Sequence, residues 1–361
     1  MHKRLQAYIV VSDLHSSYKN KDNRHDYLGE IEFVIDKIFE TCKKYIELGY
    51  EVCLIFLGDI TDNSFKDQSK AIYFNNLFVL LQRLVSKIYC VIGNHEMSYY
   101  KDNPFWSLMT SINSERIKKV ITRSWQPTGA IQLVEVLDTL DLGNTVLHFN
   151  HHATDVSRPI DGKTNIGLFH KDIISSAIIE DLRLNEGVDI FEAKPTYIEK
   201  NPEVLRGYKA CLFGHMHKIY GKWIFTDDLT SDEIELIYLA SLGRPNQTEV
   251  MDNLLVRNLP AIIIDTEGNL VNIEDNLITL PSRSEAIKED IVEKQQEAYK
   301  KRKERKYFLD YVSYNDDPIE NIKSALSQYG SALSFFEGYL EENTPDFERQ
   351  MIKDIERVRY K

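Results

Sequence analysis

Val52-Cys53-Leu54-Ile55-Phe56-Leu57-Gly58-Asp59-Ile60-Thr61-Asp62 is the stretch that decides the fold. Its first six residues form a short apolar run that reads as a strand. A glycine then breaks the run and a carboxylate follows at once. The same grammar recurs on either side. Residues 8–11 run into Asp13-Leu14-His15, and residues 88–92 run into Gly93-Asn94-His95-Glu96. Between these strands lie helical patterns. Ile31, Val34, Ile35, Ile38 and Phe39 form a 3.6-period stripe within residues 28–48, and residues 71–85 repeat it. Strand–helix–strand alternation predicts an α/β layer architecture with its site at the carboxyl ends of strands. Further strands are expected at residues 145–149, 166–169, 210–213, 234–239 and 261–264. No helix is obligatory between them, so a mixed sheet or two packed sheets fits better than a pure doubly wound fold.

At 361 residues the chain exceeds the usual single-domain range of about 100–200. Its texture changes near Pro281, after which it reads as helical over residues 285–305, 318–340 and 347–358. The expected division is a catalytic body over residues 1–280 and a small helical module over residues 281–361. Hydrophobic residues make up 43% and charged residues 28%, which excludes a collagenous or wholly disordered chain. No apolar run approaches the roughly 18 residues of a membrane span. Residues 7–11 are too short for the apolar core of a secretory leader. A soluble, cytoplasmic protein, bacterial or phage-encoded, is the expectation. Cys42, Cys53, Cys90 and Cys211 show no paired spacing and read as buried free thiols. The net charge of −12 argues against non-specific coating of nucleic acid, which needs a lysine and arginine excess.

Five segments each place a ligand type just past a strand: Asp13 and His15, Asp59, Asn94 with His95, His170, and His215 with His217. Strand ends on one edge converge in space, so distant segments can build one site. Imidazole, carboxylate and amide oxygen together suit Mn²⁺, Fe²⁺ or Zn²⁺ rather than a thiolate site. The set is too large for one tetrahedral ion and fits two ions that share a carboxylate. The fourth segment has alternatives in His148, His151 and His152. His170 is favoured because it ends the run Ile166-Gly167-Leu168-Phe169, with the pair His151-His152 read as a loop near the site that contacts substrate.

The order DxH, GDxxD, GNHE, H, GHxH resembles the calcineurin-like metallophosphoesterase superfamily across roughly residues 5–270. The resemblance implies a two-sheet β-sandwich flanked by helices and a binuclear site, most often with Mn²⁺. It implies that Asp13, His15, Asp59 and His217 hold one ion, and that Asp59, Asn94, His170 and His215 hold the other. Asp59 would bridge, and His95 would bind phosphate and serve as the leaving-group acid, with Asn94 helping to orient the phosphoryl oxygens.

The segment Tyr238-Leu239-Ala240-Ser241-Leu242-Gly243-Arg244-Pro245 resembles the strand and turn downstream of GHxH in SbcD-type nuclease subunits, with Ala240 in place of a glycine. That likeness implies a DNA exo- or endonuclease of break processing, repair or recombination. Its partners would be a DNA substrate, an SbcC-like ABC-type ATPase gripped by the C-terminal helices, and a second copy in a homodimer. The run Lys300-Lys301-Arg302-Lys303-Glu304-Arg305-Lys306 is either a solvated helix face or a DNA-backbone contact. The aromatic residues between Tyr329 and Tyr339 read as helix packing. The alternatives are a stand-alone phosphatase or phosphodiesterase acting on nucleotides or other small phosphoesters, and a scaffold with no activity. The complete ligand set weighs against the last.

Overall fold

A computed structural model describes residues 4–17, 21, 24–61, 68–99, 110–120, 133–185, 195–245, 255–286 and 288. The opening motif forms β2 (Glu51–Phe56), flanked in parallel by β1 (Gln6–Val11) and β3 (Lys87–Cys90). The sheet extends through β4 (Thr110–Ile112) and β5 (Val134–Val136) on one side. On the other it gains β15 (Ala261–Ile264) and β16 (Leu270–Glu274), both antiparallel to their neighbours. Its order is β16-β15-β1-β2-β3-β5-β4.

The second sheet contains β6 (Thr139–Asp141), β7 (Thr145–Asn150), β8 (Thr164–His170), β11 (Ala210–Gly214), β12 (Gly221–Thr226) and β13 (Glu233–Tyr238). Its order is β12-β13-β11-β8-β7-β6, with a parallel centre and antiparallel edges. Two short pairs complete the strands: β9 (Ile173–Ile174) with β10 (Thr196–Tyr197), and β14 (Val256–Asn258) with β17 (Leu277–Thr279).

Side-chain alternation explains the unbroken apolar runs. Ala7, Ile9, Val11, Leu54 and Phe56 face one layer, with Tyr27, Ile31, Val34, Ile38 and Cys42 of α1 (Tyr27–Glu47) in the same cluster. Tyr8, Val10, Cys53, Ile55 and Leu57 point the other way, into a core shared with Leu147, Phe149, Ile166, Leu168 and Leu212 of the second sheet. A third cluster covers the far face of that sheet through Phe169, Phe213, Tyr238 and Ile178 of α5 (Ser176–Asn185). The remaining helices are α2 (Gln68–Leu84), α3 (Asn94–Tyr99), α4 (Glu115–Val120) and α6 (Arg283–Ala286). The α/β two-sheet architecture expected from the sequence is thus observed. Helix α1 starts one residue early because the Asp26 carboxylate caps it, accepting from Gly29 N at 3.0 Å. The edge strands β12, β16 and β17 have no counterpart among the expected strands. Each leaves residues exposed and so lacks the long apolar run of a central strand. All four cysteines are buried and free, as expected, and burial pushes the Cys42 and Cys53 thiols up to about 12.

The chain divides into two compact units, Met1–Ile287 and Lys288–Lys361. Apart from the short α6 and Lys288, the helices expected after residue 285 lie outside the described residues, as do the basic run at residues 300–306, the aromatics at residues 329–339, and Asp62. Among the described residues no helix is long and apolar enough to cross a membrane.

A buried charge network ties the first unit together near its site. Arg24 and Arg244 are each 1% exposed, and both guanidinium groups bond to the single carboxylate of Glu30 on α1. Arg24 Nη1 also donates to the Arg244 carbonyl at 3.1 Å, and Arg244 Nη1 to the Pro281 carbonyl at 2.9 Å. Removing the shared anion strands two cations in the interior. Glu30→Ala is therefore expected to destabilise the fold by about 3–5 kcal/mol, read as a lower midpoint in chemical denaturation.

Candidate metal centre

Three parallel strands of the first sheet and two of the second end at the site. Asp13 and His15 follow β1, Asp59 follows β2, and Asn94 and His95 open α3 after β3. His170 is the last residue of β8, and His215 and His217 follow β11. Four of these residues leave their strands in the left-handed region: Asp13 (φ 46°), His15 (φ 43°), Asp59 (φ 47°) and His215 (φ 76°). Non-glycine residues hold such values only where the surroundings over-determine them. Two glycines make the crowding possible. A Cβ on Gly58, itself at φ 89°, would strike the His170 ring, and one on Gly93 would strike Asp59.

The side chains fall into two groups that share one residue. Ligand atoms of Asp13, His15, Asp59 and His217 lie within 4.8 Å of one another, as do those of Asp59, His170 and His215. His217 Nε2 is 3.4 Å from Asp13 Oδ1, and His15 Nε2 is 3.8 Å from Asp59 Oδ2. In the second group His170 Nε2 is 3.3 Å from Asp59 Oδ2. The inward amide atom of Asn94 lies 2.9 Å from Asp59 Oδ2, 2.9 Å from His170 Nε2 and 3.1 Å from His215 Nδ1. His95 donates its backbone N–H to Asp59 Oδ1 at 2.9 Å. Its ring packs edge-on to His15 with Nε2 4.0 Å from Asp59 Oδ2, and its side chain is 31% exposed. The structure therefore brings together all eight residues singled out from the sequence.

Backbone groups aim these side chains. Asp13 Oδ2 accepts His215 N at 2.9 Å, so the two sheets meet on a carboxylate. The segment after β13 returns beneath it: Ser241 Oγ and Gly243 N both donate to the Asp13 carbonyl, at 3.1 Å each. His170 Nδ1–H donates to the Leu57 carbonyl at 2.5 Å, which leaves Nε2 as the inward atom, where a metal ion would replace its proton. Glu96, quoted in its motif but given no role from sequence, is 2% exposed and accepts three backbone N–H groups, from Asp59, Ile60 and Gly93, at 2.8–2.9 Å. It ties the Gly58 turn to the Gly93 turn. Its position at the start of a helix after a glycine turn was the available signal.

The donor set fits divalent cations. Two carboxylates and four imidazoles with little solvent access cannot be left uncompensated. Asp13 Oδ1 is buried and takes part in no hydrogen bond of ordinary geometry. His15 Nε2 and His217 Nε2 sit 3.0 Å apart, a separation that needs a proton or a cation between two lone pairs. The inward Asn94 amide atom meets Asp59 and both rings as a nitrogen donor, or as an oxygen ligand where a cation lies among them. Burial, then the neighbouring His217, push His15 down to about 3. For His170 burial acts the same way, but the Asp59 carboxylate outweighs it and raises the ring to about 9. Burial would raise Asp13, yet His217 and His170 hold it at about 2.

The other histidines separate cleanly. His148 is buried within β7, with Nε2 on Asn165 Oδ1 at 2.8 Å. His151 is fully engaged by backbone: its Nδ1 accepts Ile92 N at 3.0 Å and its Nε2 donates to the Leu137 carbonyl at 3.0 Å. It holds the chain just before Gly93 and faces no ligand group. His152 stands beside the second group, its ring 5.2 Å from that of His215 and 6.1 Å from that of His170. Both nitrogens of His151 are committed in the neutral form, and burial, then Arg116, push its pKa down to about 3. Unfolded, the ring titrates near 6.5. Its contribution is thus present above about pH 6.5 and is lost as pH falls toward 3. His151→Leu is expected to cost about 2–4 kcal/mol at pH 7 by orphaning two buried backbone groups. The gap between wild type and variant should narrow steadily in urea titrations from pH 7 to pH 4.

No curated protein matches the chain by sequence. Similar solved structures include a 5'-nucleotidase precursor from Thermus thermophilus, with 10% identity, coverage of 82% of this chain and 58% of that one, and a TM-score of 0.38. An NAD nucleotidase of Haemophilus influenzae gives 12%, 76%, 56% and 0.41 for the same measures. A putative 5'-nucleotidase from Staphylococcus aureus gives 13%, 79%, 56% and 0.35. The chain thus spans under three-fifths of each of these longer chains. A sequence model described as "Calcineurin-like phosphoesterase" matches residues 7–219, a span that holds every residue of the two ligand groups. The chain belongs to the calcineurin-like phosphoesterase family.

Proposed function

We propose that the protein hydrolyses small phosphoesters of nucleotide type at a site with two divalent ions. The observation that carries this reading is the pair of ligand groups meeting on Asp59. Asp13, His15, Asp59 and His217 would hold one ion, and Asp59, Asn94, His170 and His215 the other, with Mn²⁺ the ion of choice. Such ions supply Lewis acidity toward a phosphoryl group and a nucleophile at neutral pH. Asn94 and His95 then orient the phosphoryl oxygens, and the partly exposed His95 ring protonates the leaving oxygen. A cleft of about 580 Å³ adjoins the second group, lined in part by His152, Thr154, Arg158, Lys171 and Asp172. Its volume suits a small ligand, whose pockets run to about 300–1,000 Å³. The net charge of −12 also favours a small ester over a DNA duplex.

A DNA nuclease working with an SbcC-like ATPase is the second reading. It rests on the basic run at residues 300–306 and on the nuclease-like segment Tyr238–Pro245. Homodimerisation and a cytoplasmic setting belong to the same reading.

One assay separates the two. Mn²⁺-dependent hydrolysis of bis-p-nitrophenyl phosphate and nucleotide esters is run beside end-labelled single- and double-stranded DNA. Cleavage of the small esters with intact DNA supports the first reading, and DNA degradation with copurification of a coiled-coil ATPase supports the second. In either assay Asp59→Asn should lower kcat by about 10³-fold or more, since the shared charge is gone. His95→Gln should keep full metal content yet lose about 10²–10⁴-fold in kcat. Unchanged turnover in His95→Gln would remove that residue from the mechanism.

A further inference from the structure

We propose that Asp172 is a positioning residue for the second ligand group, fixing the tautomer of His215. The proposal rests on the assignment of His215 as a metal ligand given above. Its basis is the split use of the His215 ring. Nδ1 faces inward, 3.1 Å from the Asn94 amide atom, while Nε2 lies 3.2 Å from Asp172 Oδ1 on the opposite side. A carboxylate accepts only, so the proton sits on Nε2 and the Nδ1 lone pair is left facing Asn94, Asp59 and His170. His170 follows the same rule with a different acceptor, its Nδ1–H held by the Leu57 carbonyl. Both imidazoles of this group are thus locked from behind, one by backbone and one by a side chain.

Asp172 is placed for the task by more than sequence proximity. Its carbonyl accepts Thr196 N at 2.6 Å, which ties it to the short β9–β10 pair. Its side chain is 32% exposed at the rim of the cleft, so it contributes little to the core. His215 needs such a clamp because its backbone, at φ 76°, is itself in a sparsely populated region. Sequence alone could not reveal the pairing: Asp172 lies just after His170 but serves a ligand on another strand.

The test uses the full chain in three forms: wild type, Asp172→Ala and Asp172→Asn. Mn²⁺ binding is followed by loss of the free-ion electron paramagnetic resonance signal. Asp172→Ala should weaken the second ion about 10–100-fold and leave the first unchanged. Asp172→Asn should restore most of that loss, since its amide oxygen accepts the same proton. Equal binding of both ions in wild type and Asp172→Ala would overturn the proposal, as would an Asp172→Asn variant no better than alanine. A second readout needs no metal. In the metal-free protein, ¹⁵N imidazole shifts should report His215 as the Nε2–H tautomer in wild type and as a mixture in Asp172→Ala. An unchanged tautomer in Asp172→Ala would also overturn it. A wild type that binds no second ion but shows the tautomer shift would instead count against the two-ion reading of the site and leave the Asp172 clamp standing.

Discussion

Everything near the site answers to one constraint: two carboxylates, Asp13 and Asp59, are almost wholly buried where two sheets meet. A buried anion is costly unless something positive or hydrogen-bonding faces it on every side. The chain meets the cost from three directions. Backbone N–H groups of His215 and His95 approach one oxygen of each carboxylate. Imidazoles surround the other oxygens. The two ligand groups that meet on Asp59 would admit cations on the third side. The left-handed turns, the glycines that admit them and the three-way grip of Glu96 are what it takes to bring so many polar groups to two points.

Polar groups that look alike in sequence are sorted by what lies behind them. His151, His170 and His215 lie near one another, yet each has a different rear partner. His151 has a backbone group on both sides and so becomes part of the scaffold. His170 and His215 have an acceptor on one side only, which frees the other nitrogen. The rear partner, more than the histidine, sets the role.

This sorting also marks where sequence reasoning stops. The strand-to-loop motifs announced Asp13, His15, Asp59, Asn94, His95, His215 and His217, because a glycine or a strand end followed by a ligand type is a local pattern. His170 was legible only as the end of an apolar run, and competed with three other histidines. Asp172 and the Glu30–Arg244 pair act through partners far away along the chain, which no local pattern encodes, while Glu96 left only the trace of a carboxylate after a glycine turn. The central strands were legible for the opposite reason. Burial on both faces writes itself as an unbroken apolar run, while the half-exposed edge strands leave no such trace.

The pairing of β1 between β2 and β15 has a consequence for how the molecule comes into being. The strand that carries Asp13 finds one neighbour within the first sixty residues and the other only at Ala261–Ile264. During synthesis the first sheet therefore waits, its leading strand an open edge, until Ala261–Ile264 has emerged. Such long sequence separations slow folding and expose an unpaired apolar edge in the interval. The strand that flanks the first ligand is thus enclosed only after the segments bearing His170, His215 and His217 have been made.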